Sequence, residues 1–167
     1  MKKTVITFVA FVFFTSTSFG QVQSGAFNLL LKSMIKETVP TVTVSDLAEE
    51  DVSRLVFLDA REKKEYEVSH IKEAKWIGYE DFNEARLNGI SKSQEIVIYC
   101  SIGVRSEKIG EQLLAAGYSN VRNLYGSIFE WANQGNRVYG PDGKPTNKVH
   151  AYSKTWGVWL KEGEKVY

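Results

Sequence analysis

Apolar residues in this chain fall into short β-branched runs, separated by stretches where they recur every three or four positions, so strands should alternate with helices. Phe27, Leu30, Leu31, Met34 and Ile35 lie at helical spacing and predict a short amphipathic helix that Pro40 ends. Residues 41–44 read as a strand, and Ser45 with Asp46 and Glu49 as a capped helix start. A buried strand at 55–61 ends in the charges of Asp59 and Arg61, a charged helix at 62–68 carries Tyr66, and 74–77 reads as another strand. A helix at 79–88 with Phe82 and Leu87 should close near Gly89. The run at 96–99 is the strongest strand signal, followed by a helix with Ile109, Leu113 and Leu114 that Gly117 terminates. A strand at 120–125 and a helix at 126–133 with Phe129 and Trp131 complete the series. This order predicts an α/β fold, a central mostly parallel sheet with helices on both faces. Ligands of such sheets bind beyond the carboxyl ends of the strands, where Asp59 and Cys100 could share one opening.

The central strand stops at Cys100, and Ser101, Ile102, Gly103, Val104, Arg105 and Ser106 lead directly into the next helix. A strand, tight loop and helix in this order can turn several backbone N–H groups into one concavity above the positive end of a helix dipole. Such surroundings favour a thiolate, the reactive form of cysteine. Arg105 adds a charge that does not titrate in the working range, and Gly103 leaves the backbone open to close approach. A free cysteine at a strand end is otherwise a small buried hydrophobe.

Composition narrows the field. A chain of 167 residues with formal charge +1 has enough length for one domain with a real core and shows no basic face for nucleic acid. Lys2 and Lys3, an apolar run at 5–14 and small residues at Ser18 and Gly20 form a signal-peptide pattern over residues 1–20, with cleavage before Gln21. The expectation is secretion across the inner membrane to the periplasm, with no stable membrane span after cleavage. Cys100 is the only cysteine, so no internal disulfide can form, and an unpaired thiol in an oxidising compartment needs a task. One cysteine and two histidines without ligand spacing suggest no metal site, and nothing calls for a cofactor.

The motifs together resemble one family. Asp59-Ala60-Arg61-Glu62, Glu65-Tyr66, His70-Ile71, Ala74, the Cys100 loop with Gly103 and Arg105, Leu124-Tyr125-Gly126 and Trp131 are similar to a single rhodanese domain over about residues 41–136. The resemblance implies a rhodanese-like fold in which Cys100 carries a sulfane sulfur as a persulfide, with no cofactor. The loop from Ser101 to Ser106 would form the cradle, with Arg105 facing the incoming anion. Asp59, Arg61 and His70 would be framework near the site. Its implied partners are a small anionic donor such as thiosulfate and a thiol or cyanide acceptor. Two positions depart from the family pattern, Ser69 before the histidine and Ser127 in place of the second glycine of a pair, and either could alter a turn.

Outside the domain, residues 21–40 form an N-terminal helix and linker, and 137–167 an aromatic extension with Tyr152, Trp156, Trp159 and Tyr167. Asp142-Gly143-Lys144-Pro145 reads as a turn and Glu162-Gly163 as a possible hairpin turn. The extension either covers the domain or offers a surface for a protein partner or for gating an acceptor. Two other function classes compete. One is a non-enzymatic sulfur-relay, redox-sensing or protein-binding module. The other is a phosphatase or arsenate reductase, a class whose cysteine and arginine have five residues between them, against four here.

Overall fold

The computed structural model describes residues 24–167; the predicted signal peptide at 1–20 lies outside them. Five strands, β1 (Thr41–Val42), β2 (Val56–Asp59), β3 (Lys75–Trp76), β4 (Glu95–Tyr99) and β5 (Asn120–Leu124), form one sheet in the order β1-β5-β4-β2-β3, with every pairing parallel. β4 lies at the centre, and its run Ile96-Val97-Ile98-Tyr99 is buried throughout. Ile96 and Ile98 pack with Ile109 and Leu113 of α4 (Val104–Ala115), whereas Val97 and Tyr99 belong to a second core with α1 (Gly25–Met34), α2 (Val44–Ala48) and α5 (Ser127–Asn133). Successive side chains of a strand point to opposite faces, so a strand covered on both sides reads as an unbroken apolar run. α4 closes as predicted: Gly117 has φ +90°, its N–H donates to the Leu114 carbonyl, and that of Tyr118 to the Leu113 carbonyl.

Four local expectations are corrected. The strand predicted over 41–44 ends at Val42, because Thr43 caps α2: its side chain accepts from the Asp46 N–H and the Asp46 side chain accepts from the Thr43 N–H. The cap is therefore Thr43 and not Ser45. The helix predicted over 79–88 is reduced to a single 3₁₀ turn, Glu84–Leu87, since Asn83 adopts an extended backbone and its side chain caps Ala85. Glu162-Gly163 does not turn a hairpin. β8 (Lys148–His150) and β9 (Glu164–Val166) are parallel, and a parallel pair needs a crossover, here supplied by the 3₁₀ turn Trp156–Trp159. The turn at Asp142–Pro145 is present and joins β6 (Val138–Tyr139) to β7 (Pro145–Thr146) as an antiparallel pair, with Gly143 at φ +73°.

The extension is built into the core. Val149, Ala151 and Leu160 are buried in the same cluster as Phe27 and Leu31 of α1. The rings of Phe27 and Trp159 stack at 5.5 Å, and Asn133 at the end of α5 donates to the Trp159 carbonyl. No helix among the described residues is long and apolar enough to cross a membrane.

Candidate active site

Cys100 directly follows β4, and three residues later Gly103 is the N-cap of α4. Gly103 has φ +116°, a conformation that favours glycine, and a Cβ on it would stand 2.8 Å from the terminal methyl of Ile35. Its N–H donates to Cys100 Sγ at 3.1 Å. Burial pushes the thiol up, but the Arg105 guanidinium and hydrogen bonding from Ser106 and Gly103 outweigh it and hold Cys100 below the ordinary thiol range. These surroundings favour the thiolate form of the sulfur, which lines a cavity of ≈ 180 Å³.

Neighbouring elements fix the loop through its backbone. Asn123, buried on β5, donates to the Gly103 carbonyl and accepts from the Ser106 hydroxyl. The first turn of α5 reaches the loop from the other side, where Ile128 and Phe129 N–H groups donate to the Cys100 and Ser101 carbonyls. Ser127, at φ +53°, donates its hydroxyl to the Leu124 carbonyl and accepts the Cys100 N–H at 3.1 Å. The serine at this glycine position thus keeps the left-handed turn and adds a hydrogen bond to the cysteine itself. Ser69, the other departure, has an extended backbone that any residue adopts.

Arg105 lines the cavity, but its charge already has a partner. Its guanidinium donates to both oxygens of buried Glu65, at 2.7 and 2.8 Å, and to the Ser101 hydroxyl at 2.9 Å. Burial opposes ionisation of Glu65, yet Arg105 holds its carboxyl below the usual range. The Tyr152 ring covers the guanidinium from 4.9 Å. Ile102 and Val104 belong to the cavity wall, completed by Met34 from α1 and by Tyr152 and Trp156 from the extension.

The three framework residues do not reach this cavity. Asp59 pairs with Tyr99 across the sheet, one position before the cysteine, but its carboxylate is held by Arg61 at 2.6 Å with both side chains fully buried. Asp59 and Cys100 therefore do not share an opening. Arg61 also donates to the Ser69 carbonyl, which fixes the turn after α3 (Lys63–Val68). His70 stacks on Tyr66 at 4.0 Å and lines a separate groove with it. Sequence reasoning missed Glu65, Asn123 and Ser127 as site residues, and Met34, Tyr152 and Trp156 as walls. A polar Asn123 inside an apolar strand was a usable signal; which aromatic residues would reach the loop was not encoded locally.

The Rhodanese-like domain family matches residues 41–134 of the chain. The chain belongs to this family. Among curated relatives, a sulfurtransferase of Allochromatium vinosum is 40% identical over 58 residues, covering 35% of this chain and 54% of its own. A tRNA uridine(34) hydroxylase of Photorhabdus laumondii is 32% identical over 106 residues, covering 57% of this chain and 30% of its own. The chain thus spans between about a quarter and about half of the length of the curated relatives it matches. Among solved structures, the rhodanese-like domain of an Anabaena protein has a TM-score of 0.56 at 24% identity, over 60% of this chain and 79% of its own. The thiosulfate sulfurtransferase of Pseudomonas aeruginosa has a TM-score of 0.54 at 19% identity, over 81% of this chain and 26% of its own. These likenesses show the α/β fold. Met34, Tyr152 and Trp156 all fall outside the stretch that the rhodanese-like family matches.

Proposed function

We propose that this rhodanese-like protein is a sulfurtransferase that carries a sulfane sulfur on Cys100, from thiosulfate or a similar donor to cyanide or a thiol acceptor. The observation behind this reading is a cysteine held below the ordinary thiol range, with a backbone N–H 3.1 Å from its sulfur, at the edge of a small cavity. The thiolate attacks the outer sulfur of the donor, one S–S bond forms as another breaks, and the electron pair leaves with sulfite. The product Cys-S-S⁻ keeps one negative charge, one atom further out, in the cavity that Arg105 also lines. A nucleophilic acceptor then removes the outer sulfur and restores the thiolate. Sulfite and thiolate leave without protonation, so no general acid is needed.

Phosphoryl transfer is less well supported. Among the described residues no carboxyl group lines the cavity to protonate an alkoxide leaving group, and Arg105 is engaged on Glu65. The signal-peptide pattern supports action in the periplasm. The test is intact mass after incubation with thiosulfate or another sulfane donor. The wild-type chain should gain one sulfur atom and Cys100→Ser none. No gain with any donor overturns the reading.

A further inference from the structure

The walls of the cavity say more about the donor than its floor does. Met34, Ile102, Val104 and Trp156 present apolar surface toward Cys100, with the Tyr152 ring beside them. The one cation among the described residues lining the cavity is Arg105, and Glu65 neutralises it through two hydrogen bonds. The adjoining cleft, which shares Arg105 and Tyr152 with the cavity, carries the carboxylates of Glu62, Glu65 and Glu80 against Lys64 and Arg105. A doubly charged inorganic anion would leave water for a cavity with little uncompensated positive charge, past an acidic approach.

Tyr152 is also held in place at a cost. It has φ +63°, a conformation uncommon for a bulky side chain, and its N–H donates to His150 Nδ1 at 3.1 Å. That backbone sets the ring over Arg105, where the aromatic face shields the ion pair and forms a side of the entrance. Strain retained at the rim of a cavity, in a segment outside the stretch the family shares, marks Tyr152 as a residue fitted to what enters.

We propose that the Cys100 cavity selects a singly charged sulfane donor bearing a small apolar group, such as an organic thiosulfonate or persulfide, over thiosulfate, with Tyr152 and Trp156 as the specificity-determining residues. This rests on the sulfurtransferase reading and narrows its substrate class. For a thiosulfonate the balance is unchanged: the Cys100 thiolate takes the outer sulfur, the donor S–S bond breaks, and the electron pair leaves on an organic sulfinate. One negative charge stays on the protein and one leaves with the sulfinate.

The experiment loads the full-length protein with thiosulfate, methanethiosulfonate or benzenethiosulfonate and follows the added sulfur by intact mass. Each second-order loading rate is divided by that of the same donor with free cysteine, which removes intrinsic reactivity. The expected order is benzenethiosulfonate, then methanethiosulfonate, then thiosulfate, with about tenfold between the aromatic and methyl donors, as for apolar contact in a fitted pocket. Tyr152→Gly removes the ring while giving the positive φ to the residue that adopts it most readily, so misfolding does not account for its effect. It and Trp156→Ala should each lower the ratio of aromatic to thiosulfate loading about tenfold, through the donor concentration needed for half-maximal rate. A normalised preference for thiosulfate, or a ratio unmoved by Tyr152→Gly, overturns the selectivity while leaving the sulfurtransferase reading intact. Failure of every donor to load Cys100 overturns both.

Discussion

Arg105 does two jobs at once at the residue scale: it supplies the largest favourable charge acting on the Cys100 thiolate, and it neutralises buried Glu65. Arg105→Ala removes both effects. A buried carboxylate left without its partner costs about 3–5 kcal/mol, so denaturant unfolding should show a loss in that range. The sulfur should respond as well. In the wild-type protein the thiolate is favoured in the folded state, so its contribution to stability is present at high pH and is lost as pH falls through the lowered folded value. The rate of alkylation by iodoacetamide should therefore reach its plateau at lower pH than that of an ordinary thiol. In Arg105→Ala the whole profile should move to higher pH, and an unmoved profile would show that the amides alone set the thiol. Asp59 and Arg61 illustrate the opposite case, a buried motif pair whose charges face each other while Arg61 also holds the Ser69 carbonyl after α3.

Among the elements, α1 matters most for the site despite lying outside the parallel sheet. Its inner face buries Phe27 and Leu31, its last residue Met34 reaches the cavity, and Ile35 just beyond it closes the space beside Gly103. Phe27 also stacks on Trp159, so one ring joins the helix before the domain to the extension after it. Phe27→Ala should lower stability by about 3–5 kcal/mol, the usual cost of deleting a buried aromatic side chain. Because Trp159 loses its stacking partner, tryptophan emission should also shift toward that of a solvated indole. A folded variant with unchanged emission would indicate that the extension holds its position without α1. The buried carboxylate of Glu107 reinforces this arrangement by accepting from the Lys36 and Thr38 N–H groups, which ties the linker after α1 to the first turns of α4.

For the whole molecule, the extension is cover and wall together. Val149 and Leu160 are 1% and 0% exposed, and burying two such side chains stabilises by about 3–6 kcal/mol, a large part of the 5–15 kcal/mol that holds an ordinary domain together. A chain ending at residue 136 should therefore unfold at least about 10 °C lower than the full chain in a thermal melt, or lack a cooperative transition. An unchanged midpoint would show that the rhodanese-like unit is self-sufficient and that the extension serves only the cavity. If instead the truncated chain stays folded but loads thiosulfate as readily as the organic donors, the extension sets selectivity alone.

The order of elements, the central strand and the position of its cysteine were legible because they depend on local periodicity, on two-sided burial of parallel strands and on glycines at turns. The turn from Cys100 into α4 was legible for the same reason, since the positive φ of Gly103 and its N–H on Cys100 Sγ are local features. The occupation of Arg105 by Glu65, the anchoring of the loop by Asn123 and Ser127, and the supply of walls by Met34, Tyr152 and Trp156 were decided only by the folded chain. Each of these joins residues far apart in sequence, and no local pattern states which distant side chains will be neighbours once the sheet and its flanking helices have packed. The sequence alone determined that this chain is an α/β domain with its single cysteine at the end of the central strand. Tertiary packing decided how much charge surrounds that sulfur and what shape of donor can approach it.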